Sequence, residues 1–373
     1  LGDIVIAASG QDPYADGKPL GPWPGEVSYV LMSSTSGYKN ISIPNVPSIF
    51  AHHASLGDIN GDGILDAYIG SIWEGAASAS YFLMSDKKGG FVVDRSGLPE
   101  SVKDAKSVQL KDQSTPNRVV YDRSVFTSSA LFDANNDGAV DLALLPMGGT
   151  QRGLVFLNDG AGHFSDSRKL LLPIGPYGLG YTAALPNNVY ETAGSNYLDT
   201  KAIDVNGDGR LDLVSVVNKD YRVGDVYEYY KGTSVQLMIN TPQGFVDESA
   251  SRVKFTHNPN SNYTHYDTIE TTDINADGFT DIVLYRGLNN TDGADNTRIL
   301  LNDGLGHFTD SPYPVGIPKG LLMAIDAAKG NYVVVTDAGT LYQAGTSSYQ
   351  YRVDIRACLR LRRERSNSRP RGR

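Results

Sequence analysis

Short apolar runs bounded by polar turn formers recur along the chain, and the sharpest four are Ala67-Tyr68-Ile69, Leu142-Ala143-Leu144-Leu145, Leu213-Val214-Ser215-Val216-Val217 and Ile282-Val283-Leu284-Tyr285. Runs this short and this apolar predict buried strands rather than helices. A further strand is predicted before each, at 54–57, 129–132, 200–203 and 270–272. A third follows at 81–84, 154–157, 235–239 and 298–301, and a fourth begins near Phe91, Phe164, Phe245 and Phe308. Asn-Asp-Gly at 158–160 and 302–304 marks tight hairpins between third and fourth strands. Four antiparallel strands repeated along the chain predict an all-β fold, a β-propeller of about six to seven four-stranded blades.

Between the first two strands of each unit lies one polar pattern. It reads Asp-x-Asn-x-Asp-Gly-x-x-Asp at 58–66, 133–141, 204–212 and 273–281, with first aspartates 75, 71 and 69 residues apart. Positions 1, 3 and 5 can bring side-chain oxygens to one point, position 7 can add a backbone carbonyl, and position 9 adds a carboxylate, which together suit a hard cation such as calcium. The candidate ligands are Asp58, Asn60, Asp62, Ile64 and Asp66; Asp133, Asn135, Asp137, Ala139 and Asp141; Asp204, Asn206, Asp208, Arg210 and Asp212; and Asp273, Asn275, Asp277, Phe279 and Asp281. About four calcium ions are therefore expected. The simpler reading of any one copy is an Asx-turn between strands, since Asp, Asn and Gly also form turns without metal. An EF-hand is excluded because position 12 holds Ile69, Leu144, Ser215 or Leu284 in place of glutamate, and a strand follows in place of a helix.

The repeats favour a single propeller domain over residues 1–355, with Asp3 at position 9 of a repeat already under way and a degenerate unit at 322–342 whose loop is not expected to bind metal. Residues 356–373 depart from the pattern, with eight arginines against the single acid Glu364, and read as a basic, disordered tail. Without them the chain carries 25 basic and 41 acidic side chains, which disfavours nucleic-acid binding by the propeller body. No apolar run is long enough to span a membrane as a helix. The sole cysteine, Cys358, falls in the tail, so calcium is the better clue to compartment. Weak calcium sites fill outside the cytosol, so an extracellular, cell-surface or periplasmic location is expected.

The nine-residue loop, the apolar strand after it and the unit Leu-Asn-Asp-Gly-x-Gly-His-Phe at 157–164 and 301–308 resemble the FG-GAP and VCBS repeats of integrin-like β-propellers, and Asp3-Ile4-Val5-Ile6-Ala7, with Pro22-Trp23-Pro24-Gly25-Glu26 before the next strand, looks like bacterial secreted members. The likeness runs from residue 1 to about 350. It implies calcium bound in the hairpin between the first and second strands of a blade, and a role in adhesion, ligand binding or assistance to an enzyme.

The longer segments, 10–27, 71–79, 100–127, 171–198, 218–234, 250–268 and 286–297, all fall where strand two passes to strand three or one blade passes to the next. They would share one face, opposite the calcium hairpins. Trp23, Trp73, Tyr227, Tyr229, Tyr230, Tyr263 and Tyr266 lie there, and such side chains suit a glycan or protein ligand. Two alternatives stand beside a binding module. One is a polysaccharide-active lyase or hydrolase, or its accessory domain, with His52, His53, His257, His265, Asp267 and Glu270 as candidates; no nucleophile motif accompanies them. The other is a spacer in a larger surface protein. His163 and His307, each just before a phenylalanine of the repeat, read as structural.

Overall fold

The structure, a computed structural model, describes residues 3–8, 14–15, 18–19, 25–35, 37–71, 80–103, 108–111, 119–122, 126–147, 152–179, 182–185, 189–222, 231–255, 266–286, 297–336 and 341–344. The fold is all-β, and among the described residues α-helix is confined to single turns at Glu100–Lys103 and Ser249–Arg252. Among the described residues no helix is long and apolar enough to cross a membrane.

Among the described residues six sheets of three or more strands follow one another. Sheet A holds Ile4–Ile6, Tyr29–Ser34 and Gly37–Ile41; sheet B holds Ala51–Gly57, Asp66–Ser71, Tyr81–Ser85 and Phe91–Asp94; sheet C holds Phe126–Phe132, Asp141–Pro146, Leu154–Asn158 and Phe164–Leu171. Sheet D is built on Val189–Ile203, Asp212–Arg222, Lys231–Thr241 and Gly244–Asp247, sheet E on Thr268–Thr272, Asp281–Tyr285, Thr297–Asn302 and Phe308–Ser311, and sheet F on Gly320–Asp326, Asn331–Thr336 and Leu341–Ala344. Five blades of β-propeller type are present, against the six to seven expected from the repeat. Sheets A and F have three strands each among the described residues.

The described residues form two compact units, one carrying sheets A to D and the other sheets E and F together with Val205–Gly207; the sequence suggested one domain over 1–355. The Arg-rich stretch 356–373 lies outside the described residues.

Burial explains why the second strands read as unbroken apolar runs. Every residue of Asp141–Pro146 and of Asp281–Tyr285 is buried, and in sheet C this follows from a neighbour on both faces. In the first unit Leu142 and Leu144 point toward sheet B, where they meet Tyr68 and Phe82. Ala143 and Leu145, one step along the strand, point the other way and meet Leu213, Val217 and Met238 of sheet D. The period-two alternation thus sorts one strand's side chains between two interfaces. In the second unit Val283 and Ile299 of sheet E pack against Leu322 and Val334 of sheet F.

One prediction from the long segments is corrected. Segments 100–127 and 171–198 are not simply loops: Val108–Lys111, Val119–Asp122 and Thr182–Leu185 are strands that extend sheet D to seven, in the order Val108–Lys111, Val119–Asp122, Thr182–Leu185, then the four blade strands. The first strand of that blade runs for 15 residues and pairs with its neighbour as far as Thr192 opposite Arg222. Backbone hydrogen bonding along a shared edge carries the sheet well past the blade itself.

Candidate metal centre

Each nine-residue loop joins the first strand of a blade to the second, in the same register every time. The position-9 aspartate opens the second strand and faces the last residue of the first, as Asp66 opposite Gly57, Asp141 opposite Phe132, Asp212 opposite Ile203 and Asp281 opposite Thr272. Glycine at position 6 is required by the backbone, since Gly63, Gly138, Gly209 and Gly278 all have φ between 83° and 91°. Position 4 is left-handed as well, at Gly61, Asn136, Gly207 and Ala276. The sequence signalled that requirement through glycine and asparagine, but position 4 was read as unconstrained.

The polar side chains curl onto the loop's own backbone. Asp58 accepts from the N–H groups of Asp62 (2.9 Å) and Gly63 (2.8 Å). Asp133 does the same for Asp137 and Gly138, Asp204 for Asp208 and Gly209, and Asp273 for Asp277 and Gly278. Asn60, Asn135 and Asn275 accept through Oδ1 from the same position-5 N–H, and Asn206 occupies that place in the third loop. Asp62, Asp137, Asp208 and Asp277 accept in turn from the N–H groups of Ile64, Ala139, Arg210 and Phe279. Positions 1 and 3 thus meet at the position-5 N–H in the first, second and fourth loops, while position 5 turns to position 7, as nested Asx-turns.

Position 9 has a second duty. Asp66, Asp141, Asp212 and Asp281 are fully buried, and their Oδ1 atoms accept the N–H at the end or turn-side of the third strand: Ser85, Asn158, Asn240 and Asn302, at 2.7–2.8 Å. Oδ2 of Asp66, Asp141 and Asp281 accepts from the position-2 residue of the same loop, Ile59, Ala134 and Ile274. These carboxylates staple the loop to its sheet. Burial, against the pull of those N–H groups and reinforced by the charges of Asp137 and Asp133, pushes the Asp141 carboxyl up to about 6. Asp281 is pushed to about 6 by burial with Asp277 and Asp273 beside it, and Asp66 is raised by burial with Asp62 and Asp58 beside it.

The donor set fits a hard divalent cation. It offers oxygen alone, each carboxylate oxygen keeps lone-pair capacity beyond one N–H, and the crowding that raises position 9 is the kind a cation relieves. Among the described residues no three His, Cys, Asp or Glu side chains form a ready-assembled metal cluster, so a cation here would draw on the asparagine oxygen and backbone carbonyls as well.

Two features escaped the sequence reading. Asn158, Asn240 and Asn302, taken as turn or strand residues, are buried fasteners. Asn158 Nδ2 donates to Ile59 O in the preceding blade's loop (2.8 Å) and to Val140 O in its own (2.9 Å). Asn240 spans Ala134 O and Leu211 O, and Asn302 spans Val205 O and Thr280 O. Their common place at the end of the third strand was the available signal. The second feature is Lys87, whose ammonium lies 3.4 Å from Asp62 Oδ2.

The candidates for the opposite face fare differently. Tyr266 is 3 % exposed and packs edge-on to Phe255 at 6.1 Å, so it is a core residue of its unit and is withdrawn as a ligand contact. Trp23, Trp73, Tyr227, Tyr229, Tyr230 and Tyr263 lie outside the described residues, as do His257 and His265. His53 is committed to structure, with Nδ1 2.8 Å from Ser129 Oγ and Nε2 3.0 Å from Phe126 O. Its ring rests on Gly70, where a Cβ would come within 2.1 Å of it. Burial, with His52 adding to it, lowers the ring to about 3. His52 is an exposed residue of the same strand, Asp267 accepts a long hydrogen bond from Thr268, and Glu270 lies within Thr268–Thr272. His163 and His307 each pair through Nδ1 with the aspartate four residues earlier, Asp159 and Asp303 (both 3.0 Å), closing their turns. No protein-family model matches the chain, and no curated protein matches it.

Proposed function

We propose that the chain is a calcium-stabilised β-propeller of the FG-GAP/VCBS type, working outside the cytosol as a binding or adhesion module for a glycan or protein. The observation that carries the calcium part is the fourfold loop, with the same aspartates folded the same way and a buried carboxylate crowded by two more. A turn needs one Asx side chain to close it. Three acids and an asparagine at fixed spacing, repeated four times, exceed that need, and calcium accounts for the excess.

Ligand binding is assigned to the side opposite the loops. Support comes from the extension of sheet D, which places hydrogen-bonded strands where the sequence suggested loose connections. A rigid platform loses less conformational entropy on binding than a loop does. Two measurements test the proposal. Calorimetric titration with calcium should show about four ions per chain, and Asp62→Ala should remove one of them; an unchanged melting curve in EGTA would refute the calcium reading. Glycan-array and pull-down experiments address the ligand, and failure of both over a broad panel with the calcium-loaded chain would refute the binding role.

A further inference from the structure

The first loop differs from the second and fourth at the outer oxygen of position 5. In the second and fourth loops the outer oxygen of position 5 accepts from a neutral amide: Asp137 Oδ2 from Asn135 Nδ2 (2.9 Å) and Asp277 Oδ2 from Asn275 Nδ2 (2.8 Å). In the first loop Asp62 Oδ2 faces a cation, the Lys87 ammonium at 3.4 Å. The aspartate side chain is 10 % exposed and the lysine 60 %.

Lys87 is held there by an unusual backbone. The turn between third and fourth strands is built alike in sheets B, C and E, its first residue donating to the carbonyl four residues on: Asp86 to Gly90, Asp159 to His163 and Asp303 to His307. Asp86 Oδ1 also accepts from Lys88 and Gly90, as Asp159 Oδ1 does from Ala161 and His163. The second residue is left-handed in all three, and it is Gly160 (φ 84°) and Gly304 (φ 81°) in two of them but Lys87 (φ 61°) in sheet B. A residue with a Cβ is disfavoured in that region. The turn begins next to Ser85, whose N–H is bound by Asp66 of the same loop, so the lysine is tethered at the rim of that loop.

We infer that Lys87 is a built-in counter-cation that competes with calcium at the first loop and makes it weaker than the second and fourth. This rests on the calcium reading above and adds a rank order to it: as calcium rises, the second and fourth loops fill before the first. An ion entering beside Asp62 must displace the ammonium to solvent or endure its repulsion. With the ammonium open to solvent and partly screened by salt, the effect on the dissociation constant is about 3- to 10-fold.

The test is a calcium titration of the full chain, followed by calorimetry and by terbium luminescence, on the wild type and three variants. Asp62→Asn identifies the binding step that belongs to the first loop. Lys87→Gly, which installs the residue the sister turns carry and suits the left-handed backbone, should tighten that step about 3- to 10-fold and leave the others in place. Lys87→Arg, which keeps the charge, should leave it near the wild-type value. If Lys87→Gly leaves the Asp62-dependent step unmoved, or shifts all steps alike, the inference is wrong while calcium binding stands. If no protein in the series shows a calcium-dependent step, the calcium reading itself fails.

Discussion

Ala276 shows what one position of the loop demands. It adopts φ 62° where the other copies have Gly61, Asn136 and Gly207, and a Cβ in that region is strained. Ala276→Gly should therefore stabilise the chain by about 0.5–1 kcal/mol, the strain relieved less the extra entropy of glycine in the unfolded state, measurable as a higher urea midpoint. His53 makes a second residue-scale prediction, this time in pH. Its ring titrates near 6.5 when unfolded and is lowered to about 3 in the fold. The unfolded chain therefore takes up the proton first as pH falls. The stabilisation is complete above pH 6.5 and is lost progressively down to about 3, at up to about 1.4 kcal/mol per pH unit. Unfolding curves for wild type and His53→Gln between pH 7 and 4 should converge as the solution is acidified, and parallel curves would show that the ring titrates normally.

At the scale of elements, the fastening of one blade to the next is local in space and remote in sequence. Asn158 makes two donor bonds, to Ile59 O and Val140 O, and accepts from the N–H groups of Gly160 and Gly162. Asn158→Ala leaves buried partners unsatisfied and should cost about 2–4 kcal/mol; urea unfolding would measure it, and a loss below 1 kcal/mol would mean that water replaces the amide. The same distances explain what the sequence did and did not disclose. The nine-residue loop was legible because the hydrogen bonds within it join residues two to seven apart, so its chemistry is written in one short pattern. The strands were legible because a blade buried on both faces needs an apolar run. The Asn158 bond to Ile59 spans 99 residues, and no local pattern encodes it. Lys87 beside Asp62 was hidden for a related reason, since a lysine in a turn reads as solvated until the fold brings an acid to it. The strands added to sheet D were read as loops because Val108–Lys111 and Thr182–Leu185 have no counterpart in the other repeats. Tyr266 was misjudged because an aromatic in a long connection looks the same whether it faces outward or, as here, packs on Phe255.

For the whole molecule the question is how much of its stability calcium would supply. If each of four loops were held at about ten times its dissociation constant, linkage would add roughly 1.4 kcal/mol per loop and about 5 kcal/mol together. That approaches the entire margin of an ordinary domain, so removal of calcium by EGTA should lower the melting temperature by many degrees rather than a few. The loss should also be uneven. Sheets B and C of the first unit carry two whole loops and sheet E of the second carries one, while the loop of sheet D has Val205–Gly207 in the second unit. Because Asp66, Asp141 and Asp212 each anchor a loop to the third strand of its own sheet, withdrawing a bound cation would loosen the same staples that hold the blade together. Hydrogen exchange with and without EGTA would follow this directly. The N–H groups of Ser85, Asn158, Asn240 and Asn302, bonded to the buried carboxylates, should lose protection first on chelation, ahead of the apolar second strands. Equal protection in both conditions would mean that the nested turns hold without an ion.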